Sequence, residues 1–309
     1  MFFSNVKIAA SQVAILYIMV AVGAIADKIG WFPEKVAKKC TDLLFYIITP
    51  AVIIKSFISM DFSKETAISF LIVILLGFIL HIVGILISLP FFRKKHRETD
   101  CIFKYSSVYG NVGYMGLPLT NAVLGTTGTF YCSAIVMVFN IMCFTHGVRL
   151  MSEDKKDYKL SKLILNPGTM SVIIGLPLFL LSVKLPQIIS TPLDYIAGLN
   201  TPVAMLIFGT YLANAKIKAV LKDSRVYLTL VLKLIVLPFI LLGVLKIFSV
   251  DTEIATAITI ASSAPSANNT VMFAAKYNRD ARLASNVVAL ISLVSILTMP
   301  LMIAIAQSL

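Results

Sequence analysis

Apolar runs of about twenty residues alternate with short charged loops along the chain. Ten such runs are legible, at residues 7–27, 36–58, 65–92, 101–124, 128–148, 163–183, 193–213, 226–248, 252–275 and 283–307. Runs of this length and polarity predict membrane-crossing helices, because about twenty helical residues span a bilayer's hydrocarbon core. The roughly ten-residue alternating segments of a transmembrane barrel do not occur. The pattern predicts an all-α polytopic membrane protein with ten transmembrane helices.

The polar positions inside these runs repeat. Asp42-x6-Thr49-Pro50 returns 152 positions later as Asp194-x6-Thr201-Pro202. At the same offset, without a gap, Gly110-Asn111-Val112-Gly113-Tyr114-Met115-Gly116-Leu117-Pro118 lies over Ser262–Thr270. Residues 1–150 and 163–309 therefore read as two five-helix repeats, joined by the mixed-charge stretch Met151–Lys162. An odd number of crossings makes the second copy enter from the opposite side, so the repeats are inverted. Inverted repeats predict one site near the midplane and two interchangeable conformations.

The two polar stretches interrupt spans 4 and 9, which predicts crossed broken helices. Unpaired backbone groups in hydrocarbon cost several kcal/mol each, so such a break persists only within protein or beside a water-filled cavity. Pro118 and Pro265 each lack an N–H for the helix ladder. Second half-helices are expected to begin near Tyr114–Pro118 and near Ala267. Their N-termini carry about half a positive charge each and, with the amides of Asn111, Asn268 and Asn269, favour an anion. The candidate substrate-binding residues are Asn111, Gly113, Tyr114 and Pro118 at the first break, and Ser263, Pro265, Ser266, Asn268, Asn269 and Thr270 at the second. Thr49, Pro50, Thr201 and Pro202 join them from the paired Thr-Pro motifs. The plainer alternative is a pair of proline kinks whose polar groups bond only to neighbouring helices.

Composition agrees: 58% of residues are hydrophobic and mean hydropathy is +0.91. The net charge of +12 does not signal nucleic acid, because of where the charges lie. Of 27 Lys and Arg residues, 21 fall in the loops after spans 1, 3, 5, 7 and 9, and only Lys7, Lys64, Lys184 and Lys246 lie at the other ends. The positive-inside rule then predicts a multi-pass protein of the cell membrane with both termini outside. The start of the chain lacks a basic segment followed by a small-residue cleavage site, so span 1 is expected to be an uncleaved helix. Cys40, Cys101, Cys132 and Cys143 have no CxxC spacing and are expected to be free thiols.

Ionisable residues within spans are few. His81 and Lys233 are 152 apart and are candidates for charge or proton coupling; the alternative is a packing histidine and a snorkelling lysine. Lys55 is expected to snorkel, and Asp42 and Asp194 to sit at helix N-termini. His81, His96 and His146 lack ligand spacing, no carboxylates pair within a span, and no GxxxxGK[ST] occurs. No enzyme, metal or cofactor is therefore predicted.

Asn111-Val112-Gly113-Tyr114-Met115-Gly116-Leu117-Pro118 resembles the first crossover of the auxin efflux carrier family, which has bacterial members. Ala261–Tyr277, with its proline and polar cluster, is similar to the second crossover, and Asn166-Pro167 and Thr201-Pro202 also fit. Two features depart from the plant members: Gly110 replaces a proline, and span 3 lacks the acidic residue that is paired with a lysine there. The resemblance implies a fold shared with bile-acid sodium symporters. In that fold spans 1, 2, 6 and 7 form a scaffold and a homodimer contact, while spans 3–5 and 8–10 move as an elevator. The resulting expectation is a secondary carrier of a small organic anion, a carboxylate. The alternatives are a sodium- or proton-coupled symporter of bile-acid-transporter type and, from another class, a non-transporting membrane sensor or enzyme.

Overall fold

The computed structural model of the protein describes residues 2–92, 97–152 and 166–309. Most of the expected linker, His96 and the first residues of the sixth apolar run lie outside the described residues. In chain order the helices are α1 (Phe2–Lys28), α2 (Glu34–Leu43), α3 (Thr49–Ile58), α4 (Lys64–Ser88), α5 (Arg97–Val108), α6 (Leu117–Met142), α7 (Val148–Met151) and α8 (Pro167–Leu180). They continue as α9 (Gln187–Gly198), α10 (Asn200–Asn214), α11 (Ser224–Val231), α12 (Leu237–Ile247), α13 (Thr252–Ser263), α14 (Asn269–Lys276) and α15 (Ala281–Ala306). Among the described residues no β-strand occurs. Among the described residues seven helical stretches are long and apolar enough to cross a membrane, and Pro167–Leu180 is a shorter apolar helix.

Prolines shape three of these stretches. π-helical turns at Leu44–Ile48, Val112–Gly116 and Leu232–Val236 are each followed two residues later by a proline: Pro50, Pro118 and Pro238. A proline ring collides with the carbonyl four residues back and leaves it without a donor. A locally wider turn moves that carbonyl aside, so the helix continues. A fourth π turn, Cys143–Gly147, joins α6 to α7.

The longest helical stretch, Val112–Met151, is a hairpin rather than one rod. Gly125 has φ 63° and ψ −144°, a region that only glycine occupies without strain. The Thr129 hydroxyl donates to Asn121 Oδ1 at 3.2 Å, although eight helical residues would separate these residues by about 12 Å along a straight axis. Cys132 Sγ likewise lies 3.9 Å from the Val112 carbonyl oxygen. The chain reverses at the gap between the fourth and fifth apolar runs.

Two packing arrangements position the site. α1 lies against α10 with backbones nearly touching: a Cβ built on Gly209 would stand 2.1 Å from the Val20 carbonyl oxygen, and one on Gly23 would stand 2.3 Å from that of Leu206. Small residues permit such close helix approach in membranes. α3, α4, α6, α8 and α13 contribute to a second core whose aromatic cluster includes Phe57, Phe70, Phe130 and Phe179.

Three charged residues depart from expectation. Asp42 is the ninth residue of α2 and Asp194 the eighth of α9, so neither stands at a helix N-terminus. Ser63, Asn166, Asp223, Asp251 and Asp280, at loop ends, make the side-chain caps. Lys55 does not simply reach for solvent; its ammonium pairs with Asp194 at 2.8 Å. Sequence spacing along one helix gives no view of a partner on another.

Candidate functional site

The two breaks meet. α5 ends at Val108 and α13 at Ser263, and the extended residues that follow run antiparallel past each other, with Gly110 bridged to Ser266. The Asn111 N–H donates to the Pro265 carbonyl at 2.7 Å, and the Ala267 N–H donates to the Tyr109 carbonyl at 2.9 Å. Ser266 adds a side-chain bond to the Ser106 carbonyl at 2.7 Å. Backbone groups that each broken helix leaves unpaired are thus satisfied by the other, as the low-dielectric interior demands. The first break falls at Tyr109–Asn111, a few residues earlier than the glycines and Pro118 suggest. Asn111 then caps the next turn, its Oδ1 accepting from the Tyr114 N–H at 3.2 Å. The second half-helix begins at Asn269, two residues past the expected Ala267.

Lys233 lies under this crossing. It is fully buried, and its ammonium donates to the Ser262 carbonyl at 3.1 Å. A Cβ on Gly110 would come within 2.9 Å of Lys233 Nζ and 3.0 Å of the Ala261 carbonyl oxygen. A larger residue there would have to displace the lysine end and press on the Ala261 carbonyl. The lysine does not snorkel; it faces the C-terminal end of α13, where a cation is favoured by the helix dipole. His81 is also fully buried, with Nδ1 2.7 Å from the Gly77 carbonyl oxygen and Nε2 unpartnered. The His81 ring packs on Tyr109, whose hydroxyl donates to the Met142 carbonyl and lies 2.9 Å from His146 Nδ1.

Two neighbouring cavities border the crossing. A small one of about 40 Å³ is walled by Thr49, Asn111, Gly113, Tyr114, Asn140, Asn268 and Asn269, with Phe45, Val136 and Phe139 as apolar wall. It shares Tyr114, Asn268 and Asn269 with a larger cavity of about 380 Å³ that extends towards Glu34, Lys38 and Asp42. That larger wall includes Thr41 and Tyr211, whose hydroxyls lie 3.0 Å apart. Asn111 Nδ2 and Asn268 Nδ2 are buried and have no hydrogen-bond partner. The identity of Nδ2 in Asn111 follows from its own Oδ1, which is occupied by the Tyr114 N–H. Asn269 Nδ2, by contrast, reaches Cys143 Sγ at 3.6 Å. Buried –NH2 groups without acceptors cost about 1–3 kcal/mol each, and those of Asn111 and Asn268 both belong to residues that line the small cavity.

Of the residues singled out by sequence, Thr49, Asn111, Gly113, Tyr114, Asn268 and Asn269 come together at these cavities. Pro265 and Ser266 serve the crossing itself, and the Ser263 hydroxyl turns back to the Thr259 carbonyl. Thr270 Oγ1 is buried without a partner, away from the cavity wall. Pro50 and Pro118 follow π turns and do not line either cavity, nor does Pro202. Thr201 lines a separate cavity at the far end. Asn140, Phe45, Thr41 and Tyr211 join the walls without having been singled out by sequence. For Asn140 a signal exists: it is the one amide within the fifth apolar run. All four cysteines are free thiols, and among the described residues no metal-binding cluster occurs.

A sequence profile of a family described as membrane transport protein matches residues 8–162 and 157–303. A comparison with curated proteins gives no match.

Proposed function

Because the chain belongs to the membrane transport protein family, that of the auxin efflux carriers, we propose that it is a secondary carrier moving a small organic anion, a carboxylate, across the cell membrane. The observation that carries this reading is the pair of buried, unpartnered amide –NH2 groups of Asn111 and Asn268 beside the first turns of two half-helices. Amide donors and helix N-termini all favour negative charge. The carboxylate head fits the small cavity, and the rest of the solute extends into the larger one, whose volume is that of an ordinary small-molecule site.

In this reading the hairpin at Gly125 and the two broken helices resolve the chain into ten spans, as two inverted sets of five. Spans 1, 2, 6 and 7 are the scaffold and dimer contact. Spans 3–5 and 8–10 carry the crossing, and Lys233 and His81 with it, as one body. Motion of that body past Thr49 exposes the amides to each side in turn, which is alternating access. The Lys- and Arg-rich end is cytoplasmic and both termini are outside, so the larger cavity faces inward.

Uptake by proteoliposomes of purified protein tests the reading. At least one labelled mono- or dicarboxylate is expected to enter faster than into protein-free vesicles, while neutral amides of the same size do not. Failure of every carboxylate would overturn it. Imposed sodium and pH gradients in the same vesicles separate coupled from uncoupled movement. For orientation, a membrane-impermeant thiol reagent applied outside cells is expected to label Gln187→Cys and to miss Lys218→Cys; the reverse would invert the topology.

A further inference from the structure

A third cavity, of about 110 Å³, shares no lining residue with the other two; its walls include Lys55, Asn121, Thr129, Asn200 and Thr201. It lies at the opposite end of the run Glu34–Ile58: Lys38 and Lys55 stand 17 residues, roughly 25 Å, apart along that run. Its wall repeats that of the crossover cavity at the 152-residue offset. Ala197 and Thr201 stand where Phe45 and Thr49 stand, and Leu117 stands where Asn269 does. One charge breaks the equivalence: Lys55 has Ile207 as its counterpart.

Three features make this cavity suited to an anion. Lys55 supplies an ammonium, held at 2.8 Å by Asp194 in a pair whose side chains are 35% and 51% exposed. Exposed pairs of this kind are weak and readily exchanged. Asn200 is only 4% exposed, yet its Oδ1 has no partner. A half-turn of the amide presents –NH2 at the same place, so this side chain can offer an anion a donor. Thr201, the next residue in the wall, adds a hydroxyl that can donate.

We propose that this cavity is a second anion site. A carboxylate draws Lys55 away from Asp194 and is held by the ammonium, the Asn200 amide and the Thr201 hydroxyl. The site rests on the reading of the solute as an organic anion, and it gives that solute a station at the outer end, distinct from the crossing.

Thiol protection in purified full-length protein tests it. In a Cys40→Ser background, where the remaining native thiols are buried, Thr126→Cys places a reactive group in the cavity wall. Benzoate or succinate, compared with chloride at equal ionic strength, is expected to slow its modification by N-ethylmaleimide at least fivefold. Val52→Cys, also in the cavity wall, provides an independent reporter should the first variant fold poorly. Lys55→Gln should abolish the slowing and Lys55→Arg should retain it. Asp194→Asn should lower the half-protecting concentration at least threefold, because the competitor for Lys55 is gone. No slowing by either anion, slowing that survives Lys55→Gln, or a higher half-protecting concentration in Asp194→Asn overturns the proposal. So does loss of protection in Asn111→Ser, which would trace the effect to the crossing. Protein that shows the protection yet moves no carboxylate in vesicles would keep this site and lose the carrier reading.

Discussion

Asn111→Ser is expected to lower carboxylate uptake by about 10- to 100-fold while leaving the fold in place. The side chain has two separable tasks. Its oxygen caps the half-helix by accepting from the Tyr114 N–H, and its –NH2 is buried without a partner. Serine is a good N-cap, so stability changes little. Its one hydroxyl, on a shorter side chain, does not reach the place where the –NH2 stands. A hydrogen bond to a charged group contributes about 1.5–3 kcal/mol, and each 1.4 kcal/mol is about tenfold. Asn111→Asp preserves the cap and turns the donor into a negative charge, so its uptake should fall further. Initial rates in proteoliposomes, beside melting temperatures, decide the matter. Uptake by both variants within threefold of the parent would remove Asn111 from the site.

Gly209→Val is expected to prevent stable folding, a loss of about 3 kcal/mol or more from forced overpacking. The obstacle is backbone: a Cβ there meets the Val20 carbonyl oxygen at 2.1 Å, the Ala24 nitrogen at 2.7 Å and the Gly23 carbonyl carbon at 3.0 Å. No rotamer change relieves a clash with a facing helix backbone, so α1 and α10 must part. Gly243→Ala is the control, since nothing lies within 4 Å of its Cβ position; replacing a helical glycine there should stabilise slightly. Size-exclusion profiles and thermal melts in detergent report both. A monodisperse Gly209→Val protein melting within a few degrees of the parent would refute the close-packed reading of this interface.

The sequence is informative wherever a local rule applies. Two breaks in register announce that Asn111 and Pro265 belong together, because a proline or a glycine cluster inside an apolar run forces the helix ladder open. The turn between the fourth and fifth runs shows in the same way, as a gap around Gly125. Across helices the pattern says less. By spacing alone Asp194 reads as a cap and Lys55 as a snorkelling residue, whereas they pair; the rotation of one helix against another decides that, and no single-helix pattern records it. Thr201 matches Thr49 in sequence but faces a different cavity, and the 152-residue echo alone does not say which. The start of the first half-helix is hard to place because Gly113 and Gly116 suggest a loosened chain. They instead lie in a π turn that keeps it helical.

The crossing is joined by two amide-to-carbonyl bonds, Asn111 to Pro265 and Ala267 to Tyr109. Such bonds are indifferent to the side chains that the residues carry. The cavity's amides, rings and hydroxyls can therefore be exchanged one at a time without dismantling the junction that presents them. A lineage built on this junction is free to change its diet while keeping its skeleton. On the carrier reading proposed above, selectivity belongs to the cavity wall and the geometry of movement to the main chain.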